Sequence, residues 1–283
     1  MTWIASLVLS AGLALVAGLA DAADVDTADA AAKCAAPPSL MVITPAEARS
    51  AARIVERKPL TIVAMGSSST QGVGASAPGL NYPNRLASEL KERFPGIEIR
   101  VINRGKGGED VPEELARLDH DVVAEHPELV IWQVGTNAVL RRDDLTADRE
   151  LIERGVAQIK QSGSDVVLMD LQYAPRVLAR PAYAQMEQLI ATVAEHSSVG
   201  LFHRFEIMRY WQAAQPADTL KMVGPDGLHM TDRSYGCLAA ELAEALAGNW
   251  RAQEPATPLP PAARVAGLAR AGRTGAPPAN AAP

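Results

Sequence analysis

Short apolar runs alternate with longer segments of helical periodicity along most of the chain. Four runs predict buried strands at residues 60–66, 97–103, 128–135 and 165–171, and a fifth, shorter run covers 200–203. Several of these runs are apolar on both faces, which is typical of a parallel sheet covered by helices on both sides. The pattern therefore predicts an α/β fold: a three-layer α/β/α sandwich with a central, mostly parallel sheet.

Helical patterns fill the segments between the predicted strands. Thr44, Pro45 and Glu47 have the spacing of an N-cap, a first helical proline and a capping-box partner, which predicts a helix that runs to about Arg57. The last helix is predicted to start near Thr231 and to end at Gly248. Helical spacing of apolar residues marks the helices in between: Leu86, Leu90 and Phe94; Val111, Leu115, Leu118 and Val122; Ile152, Val156 and Ile159; and residues 182–196.

The two ends of the chain differ in composition from the region between them. Residues 3–20 are apolar or small and precede an A-x-A-like site at Ala20 and Ala22, although no Lys or Arg comes before the run. This predicts a signal peptide over residues 1–22 and export to the periplasm or beyond, with an uncleaved anchor or a core helix as the alternatives. Residues 251–283 are rich in Pro and Ala, which predicts a disordered tail. An N-terminal segment with a short helix (23–58) and one domain (59–250) remain.

Charge and composition exclude several classes of partner. A net charge of −6 and an aromatic content of 4% argue against nucleic-acid binding. Beyond the first apolar run, no stretch is long enough to span a membrane, so we expect no membrane span after signal cleavage. The sequence carries no indication of the oligomeric state.

The chain has two cysteines, Cys34 and Cys237. A zinc site needs more ligands at closer spacing. In an oxidising compartment the two can pair and join the N-terminal segment to the last helix; two unpaired thiols are the alternative.

Polar residues with chemical potential follow the predicted strands. In parallel sheets, reactive groups gather beyond the carboxyl ends of the strands. Each group alone has a simpler explanation, because such residues also make turns, and the Gly/Ser-rich turn after the first strand is also suited to binding an anion. The residues are Ser68 after the first strand, Gly108 after the second, Asn137 after the third, and Asp226 and His229 before the last helix.

Together these residues supply every part of an acyl-transfer site. A serine hydroxyl needs an adjacent base, which His229 can provide. Asp226 lies three residues earlier, close enough to orient the imidazole and to stabilise its charged form. The N–H groups of Ser68 and Gly108 and the side-chain amide of Asn137 would form an oxyanion hole. Glycine at 108 lets the backbone approach closely.

Four blocks of the chain resemble the SGNH hydrolase superfamily, also called the GDSL lipases and esterases. The blocks are GSSSTQG, NRGKGGE, GTN and DGLH, and they occur in the order of that family within residues 62–229. One position departs from the family pattern, because Ser67 stands where the family usually has Asp.

The resemblance implies a flavodoxin-like three-layer fold and hydrolysis of esters or thioesters without a metal or organic cofactor. It implies Ser68, His229 and Asp226 as the catalytic triad. It also implies an oxyanion hole from Ser68, Asn137 and Gly108, with Gly108 preferred over Gly105 and Gly107.

We therefore expect an exported serine esterase that acts on a small-molecule or carbohydrate ester. No long apolar insertion indicates a lid or a deep acyl tunnel, which favours short acyl groups such as O-acetyl. The alternatives are a lysophospholipase or thioesterase of the same family, and a non-catalytic module that binds carbohydrate or an anion. Arg104 and Arg141 are candidates for gripping an anionic substrate, and Tyr210 and Trp211 for lining its pocket. Solvated charges and packing residues are the alternatives for these four.

Overall fold

The computed structural model describes residues 34–45, 47–141, 145–214 and 222–253. All of these residues belong to one compact unit that ends at Gln253. The predicted signal peptide lies outside the described residues, as does the predicted tail apart from its first three positions.

A parallel sheet of five strands forms the centre of the fold, in the order β2-β1-β3-β4-β5. Residues of β1 alternate between its two faces: Ile62 and Ala64 pack on one side, and Val63 and Met65 on the other. The strands are β1 (Leu60–Gly66), β2 (Ile99–Gly105), β3 (Leu129–Gln133), β4 (Asp165–Met169) and β5 (Gly200–Phe202). All five predicted strands are present, although β2 begins at Ile99 rather than at 97.

Eleven α-helices are found in the described part of the chain. They are α1 (Ala48–Val55), α2 (Ser68–Gln71), α3 (Tyr82–Arg93), α4 (Val111–Ala116), α5 (Leu118–Asp121), α6 (Thr136–Arg141), α7 (Thr146–Gln161), α8 (Pro175–Leu178), α9 (Tyr183–Ser197), α10 (Arg204–Ala214) and α11 (Asp232–Arg251). None of the described helices combines the length and the apolar character needed to cross a bilayer.

The helices cover the two faces of the sheet. Helices α1, α3, α10 and α11 bury their apolar side chains against one face, and helices α4 to α9 pack against the other. This arrangement confirms the predicted three-layer α/β/α fold. It places the ends of β1, β2 and β3, and the residues that follow them, at one edge of the sheet.

The first helix differs from its prediction. Helix α1 begins at Ala48, with Glu47 at the N-cap but no capping bond from the Glu47 side chain, and the Thr44–Pro45 peptide bond is cis. The predicted capping box of Thr44, Pro45 and Glu47 is therefore wrong. Instead Asp165, at the start of β4, accepts the N–H groups of Arg49 at 2.9 Å and Ser50 at 2.8 Å. A distant carboxylate caps this helix, so the local spacing was misleading.

Two other helices also depart from their predictions. The helix predicted across Val111–Val122 is divided into α4 and α5, because Arg117 leaves helical geometry and buries its side chain. A 3-10 turn at Val123–Glu125 follows α5. Helix α11 continues past Gly248 to Arg251. Its last turn is held by Trp250, which is fully buried and donates to Ser50 Oγ at 2.9 Å. Helix α10, which the apolar pattern did not predict, follows β5.

Cys34 and Cys237 form a disulfide bond. It joins the N-terminal segment to α11 across a sequence separation of 203 residues. The carbonyl of Cys34 also accepts the indole N–H of Trp211, which is buried on α10.

Candidate active site

Ser68 stands at the turn between β1 and α2. It is the first residue of this short helix, and the chain reaches it directly from the buried strand through Gly66 and Ser67. The first N–H groups of a helix have no acceptor within that helix. Ser68 therefore presents both its hydroxyl and its N–H at the carboxyl edge of the sheet, where it is half-buried.

Gln133 holds the serine turn from behind. Its side-chain oxygen accepts hydrogen bonds from Ser67 N–H at 3.1 Å, Ser67 Oγ at 3.1 Å and Ser69 Oγ at 3.0 Å. The buried guanidinium of Arg204 donates to Ser69 Oγ at 3.0 Å as well. Ser67, which replaces the family's usual Asp, is thus a buried member of this network and faces away from solvent.

His229 and Asp226 converge on Ser68 although 161 residues separate His229 from it. The distance from His229 Nε2 to Ser68 Oγ is 2.9 Å, and that from His229 Nδ1 to Asp226 Oδ2 is 2.5 Å. Both ring nitrogens are therefore within hydrogen-bonding distance of the partners that a general base requires. The imidazole is mostly buried, with 17% of its side chain exposed, whereas Asp226 is 44% exposed.

Asp226 is held in its ionised form. Partial burial raises the pKa of Asp226, but hydrogen bonds from Leu228 N–H, the His229 ring and His229 N–H outweigh this and lower the pKa to about 2. The carboxylate therefore stays charged at neutral pH, where it can stabilise a protonated imidazole.

The loop that carries Asp226 and His229 is anchored on two sides. Arg176 N–H, at the start of α8, donates to the Gly227 carbonyl at 3.0 Å. On the other side lies Gly74, which has φ +94°. A Cβ built at position 74 would lie 2.4 Å from the Met230 carbonyl oxygen and 3.1 Å from His229 Cβ. Only glycine allows the segment after α2 to pack this closely against the histidine.

Three glycines lie at the end of β2 or directly after it, and their N–H groups have different hydrogen-bond partners. Gly105 N–H donates to Asn103 Oδ1 at 2.8 Å, and Gly107 N–H donates to Gln71 Oε1 at 2.8 Å. Gly108, with φ +83°, has no acceptor for its N–H among the described residues. Of the three, Gly108 therefore has the N–H that remains available to a ligand.

Asn137 reaches the same loop from α6. Its Nδ2 donates to the carbonyl of Glu109 at 2.6 Å. A primary amide has two N–H donors, so this contact fixes the group and leaves one donor for a ligand.

A family model described as the non-GDSL lipase-like family matches residues 33–251. The chain belongs to this family. The resemblance to SGNH hydrolases that the four blocks indicated is thereby confirmed, and the family description agrees with a first block that has Ser67 in place of Asp.

Relatives of this non-GDSL lipase-like protein include two esterases. An acetylxylan esterase of Geobacillus stearothermophilus is 33% identical over 91 residues, which are 32% of this chain and 42% of that protein. An arylesterase of Vibrio mimicus is 29% identical over 126 residues, which are 44% of this chain and 61% of that protein. The chain thus spans less than two thirds of the length of either curated relative.

Solved structures share the fold of this non-GDSL lipase-like protein. A two-domain esterase active on acetylated mannans, co-crystallized with mannopentaose, has a TM-score of 0.60 at 23% identity, covering 74% of this chain and 55% of that one. A lipase/acylhydrolase from Enterococcus faecalis has a TM-score of 0.55 at 23% identity, covering 67% of this chain and 96% of that one.

The four residues predicted to bind substrate do not lie together in the structure. Arg141 donates to the carbonyl of Gly108 and so lies beside the candidate oxyanion donors. Arg104 is paired with Glu125 instead. Tyr210 is exposed on α10, and Trp211 is buried beside the disulfide, where it serves packing.

Sequence reasoning missed the residues that support the site. Gln133 had a visible signal, since it is a polar residue at the end of the apolar run LVIWQ. Glu109 ends the NRGKGGE block, but nothing in that block indicated its role, and Arg117 had no signal because a charged residue at a helix end is ordinary. Among the described residues, no group of three or more His, Cys, Asp or Glu side chains is arranged to hold a metal ion.

Proposed function

We propose that this protein is an exported serine esterase that hydrolyses short-chain carboxylic esters, including O-acetyl groups on carbohydrate. One observation carries the proposal: the chain of contacts from Ser68 Oγ through His229 to Asp226, at 2.9 Å and 2.5 Å. A module that only binds a ligand has no need for a base held by a carboxylate.

In the first half of the proposed reaction, Ser68 Oγ attacks the acyl carbonyl carbon while His229 Nε2 takes the hydroxyl proton. Negative charge develops on the carbonyl oxygen, which accepts hydrogen bonds from Ser68 N–H, Gly108 N–H and Asn137 Nδ2. The imidazolium then gives its proton to the departing alcohol oxygen. The acyl group stays on Ser68 as an ester.

In the second half, water replaces the alcohol. His229 Nε2 takes a proton from the water as its oxygen attacks the acyl carbon of the Ser68 ester. The same three donors stabilise the second oxyanion. Collapse releases the carboxylic acid, and the proton on His229 returns to Ser68 Oγ. Asp226 remains ionised throughout and stabilises the imidazolium in both halves.

The relatives support an ester substrate and favour acetyl groups on carbohydrate. One is an acetylxylan esterase, and a protein of the same fold is active on acetylated mannans. Solved catalytic mutants of the Geobacillus stearothermophilus acetylxylan esterase replace a histidine or an aspartate three positions before it, the spacing of Asp226 and His229.

Export is supported by the sequence of residues 1–22 and by the disulfide between Cys34 and Cys237. Disulfides persist in oxidising compartments such as the periplasm. Signal cleavage is testable by mass spectrometry of the N-terminus of the protein recovered from the periplasm or medium.

An active-site label tests the assignment of the nucleophile. A fluorophosphonate probe should label the wild type and should not label Ser68→Ala. Ser67→Ala and Ser69→Ala are the matched controls. Both hydroxyls are buried and donate to Gln133 Oε1, so these variants should keep the label. Equal labelling of Ser68→Ala and the wild type would refute the triad.

A panel of chromogenic esters tests the substrate class. We expect the highest kcat/KM for acetyl, with a steady fall towards octanoyl. Acetylated xylan and mannan oligosaccharides then test the alcohol part, with release of acetate as the readout. If the wild-type protein hydrolyses none of these esters but binds a glycan tightly, the result would instead support a non-catalytic module.

A further inference from the structure

One buried guanidinium donates hydrogen bonds to two residues, Gly66 and Glu109, that hold the proposed oxyanion donors in place. Arg117 lies at the end of α4 and is 9% exposed. Its three side-chain nitrogens donate to three acceptors: Nε to Glu109 Oε2 at 2.5 Å, Nη1 to Asp121 Oδ2 at 3.0 Å, and Nη2 to the Gly66 carbonyl at 3.3 Å.

The first support is the end of β1. Gly66 is the last residue of that strand, two positions before Ser68. Its carbonyl accepts Arg117 Nη2 and also the N–H of Lys106 at 2.9 Å. Lys106 belongs to the loop that contains Gly108. The guanidinium therefore bonds to the point where the serine turn and this loop already meet.

The second support is Glu109, the residue directly after Gly108. Its side chain binds Arg117, while its carbonyl accepts Asn137 Nδ2 at 2.6 Å. A displacement of Glu109 would therefore move the Asn137 amide and the Gly108 N–H together. Through Glu109 and Gly66, Arg117 connects all three proposed oxyanion donors.

Charges in this cluster are balanced. Two cations, Arg117 and Lys106, face two carboxylates, Glu109 and Asp121, and Lys106 Nζ lies 3.2 Å from Asp121 Oδ2. Burial raises the pKa of Asp121, but hydrogen bonds from His120, Lys106 and Arg117 outweigh it and hold the pKa well below its usual range. Loss of the guanidinium would remove the cation paired with Glu109, whereas Asp121 would keep its contact with Lys106.

We propose that Arg117 is a positioning residue that sets the Gly108 and Asn137 donors relative to Ser68. The proposal rests on the proposed function, in which those donors stabilise the oxyanion. A planar guanidinium presents its donors in a fixed fork, whereas the single ammonium of lysine cannot hold the same three acceptors in the same geometry. Arg117 itself does not touch the substrate.

Arg117→Lys tests the proposal because it keeps the charge and removes the fork. Arg53→Lys is the matched control, since Arg53 makes a similar two-nitrogen contact with Glu128 at the amino edge of the sheet. Each variant is assayed on p-nitrophenyl acetate well below its own unfolding midpoint, with active sites counted by fluorophosphonate titration. Counting active sites removes losses that come only from unfolded protein.

We expect kcat per active site to fall about 10- to 100-fold in Arg117→Lys, with KM within about threefold, because a donor misplaced by roughly 1 Å loses transition-state binding. Arg53→Lys should keep the wild-type kcat. A kcat for Arg117→Lys within twofold of the wild type, or a loss confined to KM, would overturn the proposal.

A second readout needs no turnover. The side-chain amide resonances of Asn137, identified by their loss in Asn137→Ala, should shift in Arg117→Lys and stay in place in Arg53→Lys. Unchanged resonances in Arg117→Lys would also overturn the proposal. If the wild type hydrolyses no ester, the proposed function fails, and this comparison still decides whether Arg117 positions Asn137.

Should Arg117→Lys not fold, Glu109→Gln takes its place. It removes the ionic contact with Arg117 and keeps the main-chain carbonyl that holds Asn137. The same criteria for kcat and for the Asn137 resonances then decide the outcome.

Discussion

One buried carboxyl group is expected to make a contribution to the free energy of unfolding that falls as pH rises. Glu114 on α4 is 2% exposed, and its Oε2 accepts the indole N–H of Trp132 at 2.7 Å. Burial raises the pKa of Glu114 from 4.5 to about 8, against smaller opposing effects of Trp132 and Arg117. The folded protein therefore keeps this group protonated at neutral pH.

The sign and size of the effect follow from proton linkage. Between pH 4.5 and about 8 the unfolded chain has lost the Glu114 proton, whereas the folded protein keeps it. The unfolded state then binds one proton fewer, so the free energy of unfolding falls by about 1.4 kcal/mol per pH unit. From pH 5.5 to 7.5 this amounts to at most ~3 kcal/mol for the single group.

Glu114→Gln removes this titration and keeps an oxygen acceptor for Trp132. Urea unfolding of the wild type and the variant at half-unit steps from pH 5.5 to 7.5 measures the difference between their free energies of unfolding. That difference should shift in favour of the variant by about 1 to 1.4 kcal/mol per pH unit. Other titrating groups cancel, because they are common to both proteins.

Glu92→Gln on the exposed surface of α3 is the control, and its curve should run parallel to that of the wild type. Parallel curves for Glu114→Gln and the wild type would refute the reasoning. They would mean that Glu114 is ionised in the folded protein, with its charge compensated by a neighbour such as Arg117.

Three further results are expected. Asp226→Asn should lower kcat by about 10²- to 10⁴-fold with its fold intact, because the amide cannot hold the His229 tautomer or stabilise the imidazolium; kcat within threefold of the wild type would contradict this. Gly74→Ala should lower kcat/KM, measured on p-nitrophenyl acetate, because the added Cβ would clash with the Met230 carbonyl oxygen and displace His229. Unaltered activity would contradict this, because it would mean that the loop moves without cost to the site. Reduction of the Cys34–Cys237 bond should lower the free energy of unfolding by ~2–5 kcal/mol, measured by urea unfolding with and without reductant, because the bond closes a long loop; identical curves would contradict it.

The layered fold was predictable because its signals are local. Apolar runs such as residues 60–66 and 165–171 repeat the pattern of strands buried on both faces, and each contains one strand of the sheet. Helix ends were predictable only where their partners lie nearby in the chain. Thr231 caps α11 through Ser234, three residues on, whereas α1 is capped by Asp165, more than a hundred residues away.

The candidate site shows the same difference between features with a local signal in the sequence and features that depend on distant contacts. The identities of Ser68, Gly108, Asn137, Asp226 and His229 were recognisable from short blocks, because acyl-transfer chemistry needs particular side chains and such a fold exposes them after its strands.

Their support was decided by tertiary packing. No local pattern shows that Gly105 and Gly107 already use their N–H groups while Gly108 does not, or that Arg117 reaches back to Gly66 and Glu109. These bonds join segments that meet only when the sheet is assembled. The amino-acid sequence by itself determined which reactive groups are present and on which elements they lie; the folded structure decided which donors remain free and what holds them in place.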